Sequence, residues 1–196
     1  MKRIFAWIAY FLEWTLLGFG VGCLGMYAFE IVEARRFQLE QTAAFEQVAK
    51  TQAAAPRVAA GGLVGMLDVP RLKLSTPVIE GDDEQTLQRA VGHLPDTPMP
   101  WENGNTAVAG HRDGLFRPLK DLKIGDEIRF RTTREEFVYR VTHTKIVLPS
   151  DVSVLAPRPQ ESSLTLITCY PFSYIGAAPK RFVVTAERRS SAKPSE

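Results

Sequence analysis

Apolar positions along the chain follow two regimes. Ile4 to Leu12 is wholly apolar, Glu13 interrupts, and Trp14 to Phe29 is apolar apart from Thr15. A helix needs about 20 mostly apolar residues to cross a ~30 Å hydrocarbon core. Trp7 to Phe29 meets that length with Glu13 near an interface, so residues 1–32 are predicted to form an N-terminal transmembrane anchor. Trp7, Tyr10, Trp14 and Tyr27 are aromatic types favoured at membrane boundaries. A cleaved signal peptide is the rival reading. The apolar stretch is long for a signal core, and no small-residue cleavage site precedes Glu30-Ile31-Val32-Glu33. Basic residues do not orient the anchor, because Lys2 and Arg3 at one end are matched by Arg35 and Arg36 at the other.

Beyond the anchor, residues 33–62 read as a helical or flexible linker. Ala34 to Lys50 is rich in Ala, Glu and Gln, and Thr51 to Gly62 has tether composition. From Leu63 the pattern changes to short alternating runs between turn signals. Strands are predicted over Gly62–Val69, Leu72–Ile79, Thr106–Ala109, Glu127–Arg131, Phe137–Leu148, Leu164–Thr168 and Arg181–Ala186. Asp82-Asp83-Glu84 caps a short helix through about Val91, and Phe116 to Leu122 forms a helical turn. Gly92 to Gly104 reads as a loop. The expected fold is mostly β: roughly eight strands and one or two short helices over residues 63–188, closed or nearly closed into a barrel. Residues 189–196 form a polar tail.

Composition narrows the function classes. Hydrophobic residues make up 45% of the 196-residue chain and charged residues 23%, as in folded proteins. A net charge of +2 gives no reason to invoke nucleic acid. The two cysteines, Cys23 and Cys169, are not expected to pair, since Cys23 lies in the apolar N-terminal segment. Gly18, Gly20, Gly22 and Gly25 imitate a dinucleotide fingerprint, but no strand precedes them. They read as glycines of a membrane helix, with Gly18 and Gly22 in helix-pairing spacing. Asp121, Asp126, Glu127, Glu135 and Glu136 match no calcium-loop spacing. No metal and no cofactor is expected.

The chemistry-bearing residues sit at strand edges. Cys169 closes the run from Leu164, Arg181 opens the run to Thr185, and His111 follows Asn105 to Gly110. A thiol, an imidazole and a guanidinium are the parts of a cysteine acyl-transfer site. Each has a bland alternative, because a lone Cys at a strand end is usually a small core hydrophobe. Of the other histidines, His143 falls inside a strand pattern and His93 in a loop. Arg112 reads as a solvated turn charge, and Asp113 either orients His111 or caps the turn. A membrane-tethered barrel that only binds a partner peptide is the non-enzymatic alternative.

These segments resemble sortases. Thr165-Leu166-Ile167-Thr168-Cys169 is similar to their TLxTC signature, Ala109-Gly110-His111-Arg112-Asp113 to their His segment, and Lys180-Arg181-Phe182-Val183-Val184 to their Arg strand. Cys169-Tyr170-Pro171-Phe172, with Gly176 and Pro179-Lys180-Arg181, most resembles class D, with class E next. The resemblance covers about Leu63 to Glu187. It implies a membrane-anchored transpeptidase with an eight-stranded sortase-like β-barrel on the extracytoplasmic side of the cytoplasmic membrane. It further implies that Cys169 attacks the Thr carbonyl of an LPxTG-like motif in secreted proteins bearing a C-terminal sorting signal. The thioester then passes to an amine such as that of peptidoglycan or its lipid precursor, with hydrolysis as a side reaction. His111 serves as acid and base and Arg181 stabilises the oxyanion. Thr168, Tyr170 and Pro171 are implied substrate contacts.

Overall fold

The computed structural model describes residues 2–49, 58–156 and 161–189. The chain divides into two units, Met1–Phe37 and Gln38–Glu196. The first is helical. Helix α1 spans Lys2–Ala49 and continues without a break past Glu30, Glu33, Arg35 and Arg36. Among the described residues it provides one stretch long and apolar enough to cross a membrane, Leu12–Ala43. Leu16, Phe19, Leu24 and Phe29 are all exposed on it. A helix surface that is apolar all round is stable in lipid rather than in water. The expected tether falls largely on residues 50–57, outside the described residues. Its last two residues already bond to the barrel: Gly61 N–H donates to Glu80 O at 2.8 Å and Gly62 O accepts from Glu80 N–H at 2.9 Å.

The second unit is built on eight strands. They are β1 (Leu63–Val69), β2 (Leu74–Glu80), β3 (Val91–His93), β4 (Asn105–Ala109), β5 (Glu127–Arg131), β6 (Glu136–Val147), β7 (Ser163–Tyr170) and β8 (Lys180–Arg188). They close into a barrel in the order β1-β2-β3-β4-β7-β8-β6-β5, with β5 returning to β1. The β2–β3 and β4–β7 pairs are parallel and the remaining pairs antiparallel. A parallel pair needs a crossover between its strands. Between β2 and β3 that crossover contains helix α2 (Glu84–Arg89). Asp83 caps α2: its carboxylate accepts from Thr86 N–H at 3.1 Å and from Thr86 Oγ1 at 2.7 Å. The bonds from Thr86 hold the Asp83 carboxyl below its ordinary range.

Alternation along the strands fills the interior, since successive side chains in a strand point to opposite faces. Ile128 and Phe130 of β5, Phe137, Tyr139 and Val141 of β6, Leu164 and Leu166 of β7, and Val184 and Ala186 of β8 all enter one core. Phe116 and Leu119, around the 3-10 turn Arg117–Asp121, join them from outside the strands. Each such side chain contributes roughly 1.5–3 kcal/mol by leaving water. A barrel of this strand number is just wide enough for side chains to fill it.

The segment between α2 and β4 departs from the sequence expectation. Val91–His93 is strand β3, not the end of a helix and the start of a loop. Its pairing comes from two neighbours distant in sequence, β2 through Val78↔Val91 and β4 through His93↔Val108. The predicted helix therefore stops at Arg89, and its cap is Asp83.

Candidate active site

The register of three adjacent strands positions the candidate residues. On β7, Leu164 and Leu166 face the core, so Thr165, Ile167 and Cys169 face outward. On β8, Val184 and Ala186 face the core, which turns Thr185, Val183 and Arg181 outward. Cys169 and Arg181 are direct cross-strand partners and share that outer face. On β4, Val108 faces the core while Asn105, Ala107 and Ala109 face outward. Because β4 and β7 run parallel with Ala109 opposite Ile167, both strands end at the same rim. His111 follows β4 there, two residues beyond Ala109, as Cys169 lies two beyond Ile167. The structure thus brings His111, Cys169 and Arg181 to one edge of the barrel.

Main-chain and side-chain bonds hold this rim. Gly110 N–H donates to Ile167 O at 3.1 Å, and Thr168 Oγ1 donates to Gly110 O at 2.7 Å. Gly110 packs so tightly on Phe116 that a Cβ there would lie 2.9 Å from the ring. His111 O then accepts from Phe116 N–H at 3.1 Å and closes the turn after β4. The His111 Nε2 atom lies 3.9 Å from Glu84 Oε1 of α2. Arg181 Nη1 donates to the carbonyls of Ala178 and Lys180 at 3.2 and 3.1 Å. Cys169 is half-buried and unpaired to any other cysteine. Tyr170 and Pro171, joined by a cis peptide bond, start the β7–β8 connection. Phe172 follows, with its ring edge-on to Tyr170 at 6.0 Å and to Phe182 at 5.4 Å between centroids.

A buried polar group ties the β6–β7 connection to the same face. Asn105 Oδ1 accepts from Thr165 Oγ1 at 2.7 Å and Ser163 Oγ at 3.2 Å, and its Nδ2 donates to Val154 O at 3.1 Å. The Asn105 amide is thereby bonded at both its oxygen and its nitrogen, as buried polar groups require.

Several sequence readings shift once the contacts are known. Arg112 is not a solvated turn charge: it is 7% exposed and bonded to the β7–β8 connection. His93 is not in a loop but on β3, fully buried, with Nδ1 2.6 Å from Glu80 Oε2 and Nε2 3.2 Å from Pro98 O. Thr168 is buried with its hydroxyl proton on Gly110 O, behind the rim rather than on it. His143 is an exposed side chain of β6, opposite Thr185, and Asp113 is exposed. Among the acidic residues considered for calcium, Asp126 instead accepts both Nε and Nη2 of Arg71 at 2.6 Å. That guanidinium holds the Asp126 carboxyl below its ordinary range. Glu127 pairs with Arg129 at 2.7 Å. The contacts of Glu84, Asn105 and Arg112 were not visible in the sequence because each reaches a segment far from it in the chain.

A thiol, an imidazole and a guanidinium, here on one outer rim of a closed eight-stranded barrel, are the side-chain types that a cysteine acyl-transfer site uses. The chain belongs to the sortase family: the sortase domain matches residues 67–189. It is 40% identical to Sortase D of Bacillus subtilis over 128 residues, 65% of each chain. It is 32% identical to Sortase SrtE2 of Streptomyces coelicolor over 145 residues, 63% of this chain and 55% of that one. The matched stretches thus span between about half and two thirds of the curated relatives' lengths. Among solved structures it resembles the Clostridium perfringens Sortase D5 transpeptidase with a TM-score of 0.67 and 28% identity, over 80% of this chain and 98% of that one. These relatives support class D within the family.

Proposed function

We propose that this chain is a membrane-anchored transpeptidase that cleaves an LPxTG-like sorting motif through a thioester on Cys169. The observation that carries the reading is the shared outer rim of β4, β7 and β8, where Cys169 and Arg181 are register partners and His111 ends the parallel neighbour. Similarity to Sortase D of Bacillus subtilis supports it.

In the first step, the Cys169 thiolate adds to the Thr carbonyl carbon of the motif, forming a C–S bond and a tetrahedral oxyanion. Arg181 faces that oxygen. Its Nη1 donates to the Ala178 and Lys180 carbonyls, so in this reading Nε and Nη2 are the donors offered to substrate. Donors set in place before charge develops stabilise it without reorganisation. Collapse of the adduct breaks the C–N bond, and imidazolium His111 gives its proton to the departing amine. In the second step an acceptor amine attacks the thioester and His111 takes its proton. The new amide leaves and the thiolate is regenerated. Water in place of the amine gives hydrolysis.

Residues 63–188 form the catalytic domain in this reading, 1–32 the anchor, 33–62 the linker and 189–196 the tail. Tyr170 and Pro171 flank the bound motif, and Thr168 supports the thiol from behind. The domain faces outward from the cytoplasmic membrane, where secreted proteins with a C-terminal sorting signal meet an amine of peptidoglycan or its lipid precursor. The test is full-length protein in mild detergent with an LPxTG-type peptide and hydroxylamine. Hydroxamate product and an acyl-enzyme mass are expected. Both must vanish in Cys169→Ala; turnover that survives this substitution refutes the assigned nucleophile.

A further inference from the structure

The connection from β7 to β8, residues 171–179, carries the rim on one side of Cys169 and Arg181. Among the described residues, Arg112 in the turn after β4 bonds its middle. Arg112 Nη2 donates to Tyr174 O at 2.7 Å and to Gly176 O at 2.9 Å. The same guanidinium stands 6.0 Å from the Tyr174 ring centroid. Between the two pinned carbonyls, Ile175 is 96% exposed, and Gly176 takes φ +92°, a conformation that costs glycine little. The pinning therefore fixes the backbone inward and turns an apolar tip outward.

Arg112 is also the residue directly after His111. One buried guanidinium thus joins the turn bearing the imidazole to the connection that starts one residue after the Cys169–Tyr170 strand end. We propose that Arg112 is a positioning residue. It holds the 171–179 connection in the shape that receives the peptide, with Tyr174 and Ile175 displayed at the rim. The inference takes its substrate from the transpeptidase reading above, but the geometry it asserts does not depend on turnover. A loop with few buried apolar contacts draws its order from such individual bonds. Losing them loosens the peptide site without unfolding the barrel.

Two variants test this in the full-length protein in detergent. Arg112→Met keeps the apolar stem and removes every donor. Arg112→Lys restores a donor on a shorter, non-planar group. The first readout is chymotrypsin cleavage after Tyr174, which needs no activity. Arg112→Met should be cut on the order of tenfold faster than the parent chain, and Arg112→Lys should fall between them. The second readout is hydroxamate formation from the LPxTG-type peptide. Arg112→Met should lose roughly 10- to 100-fold in kcat/KM, chiefly through a raised KM, the range for a misplaced site. A lowered kcat at unchanged KM would mean a smaller folded fraction and would overturn the proposal. Cleavage and KM both equal to the parent's would also overturn it. A parent chain without turnover but with the expected cleavage pattern would sink the transpeptidase reading and leave the pinning intact.

Discussion

Replacing His93 with alanine should be among the most damaging changes to this barrel, although His93 lies outside the proposed chemistry. The imidazole is 0% exposed and faces oxygen on both sides. Pro98 O lies 3.2 Å from Nε2 and Thr97 Oγ1 3.3 Å from it. On the other side Nδ1 lies 2.6 Å from Glu80 Oε2. The pair links β2 to β3 at the register position Glu80↔His93 and ties down the segment leading to β4. Deleting the ring leaves Glu80 buried without its partner, a loss of about 3–5 kcal/mol. For a chain of this size that lowers Tm by roughly 10 °C. Thermal unfolding followed by near-ultraviolet circular dichroism measures it. Glu80→Gln should cost less, because the amide can still meet Nδ1. In the Glu80→Gln background, His93→Ala should cost at least about 1 kcal/mol less than in the parent chain, the signature of coupled neighbours. Equal costs in the two backgrounds, or a loss below about 1 kcal/mol, would refute the reasoning.

Two further outcomes follow from contacts elsewhere in the barrel. Burial pushes the Tyr139 hydroxyl up from 10.0 to about 12, so the unfolded chain loses that proton first as pH rises. The stability it contributes is complete below pH 10 and disappears between pH 10 and about 12, about 3 kcal/mol in all. Tyr139→Phe should flatten this alkaline limb in pH-dependent melts, and an unchanged slope would contradict it. Arg181→Lys replaces a planar fork by a point charge and should slow acyl-enzyme formation by roughly 10²–10³. Quenched-flow mass spectrometry reads that rate, and a change under about threefold would remove Arg181 from the oxyanion role.

The strands whose identity lies in their own alternation were legible in the sequence. In β6, Phe137, Tyr139 and Val141 alternate inward, and period two announces such a strand without reference to its neighbours. Glu127–Arg131 was legible to the residue for the same reason. Strand β3 was not, because three residues with a central glycine make no period. Its existence depends on edges offered by β2 and β4. The anchor's apolar run was plain, yet the unbroken continuation of α1 to Ala49 has no local marker where the apolar face ends. For the site, the motifs flagged Cys169, His111 and Arg181, and register placed them on one rim. The burial of Arg112 was invisible, since the covering segment lies 62 to 64 positions downstream. A turn charge and a buried clamp look alike in sequence until that cover is known.

The parallel pairing of β4 with β7 has a consequence for when the protein becomes reactive. Every register pair along this seam joins positions 58 apart, and the intervening chain carries β5 and β6. Pairings this distant in sequence come late, because loop closure precedes their reward. A nascent or half-assembled chain therefore holds its thiol and imidazole on separate pieces. Competence requires this seam, so the centre is incomplete until β7 and β8 have been delivered.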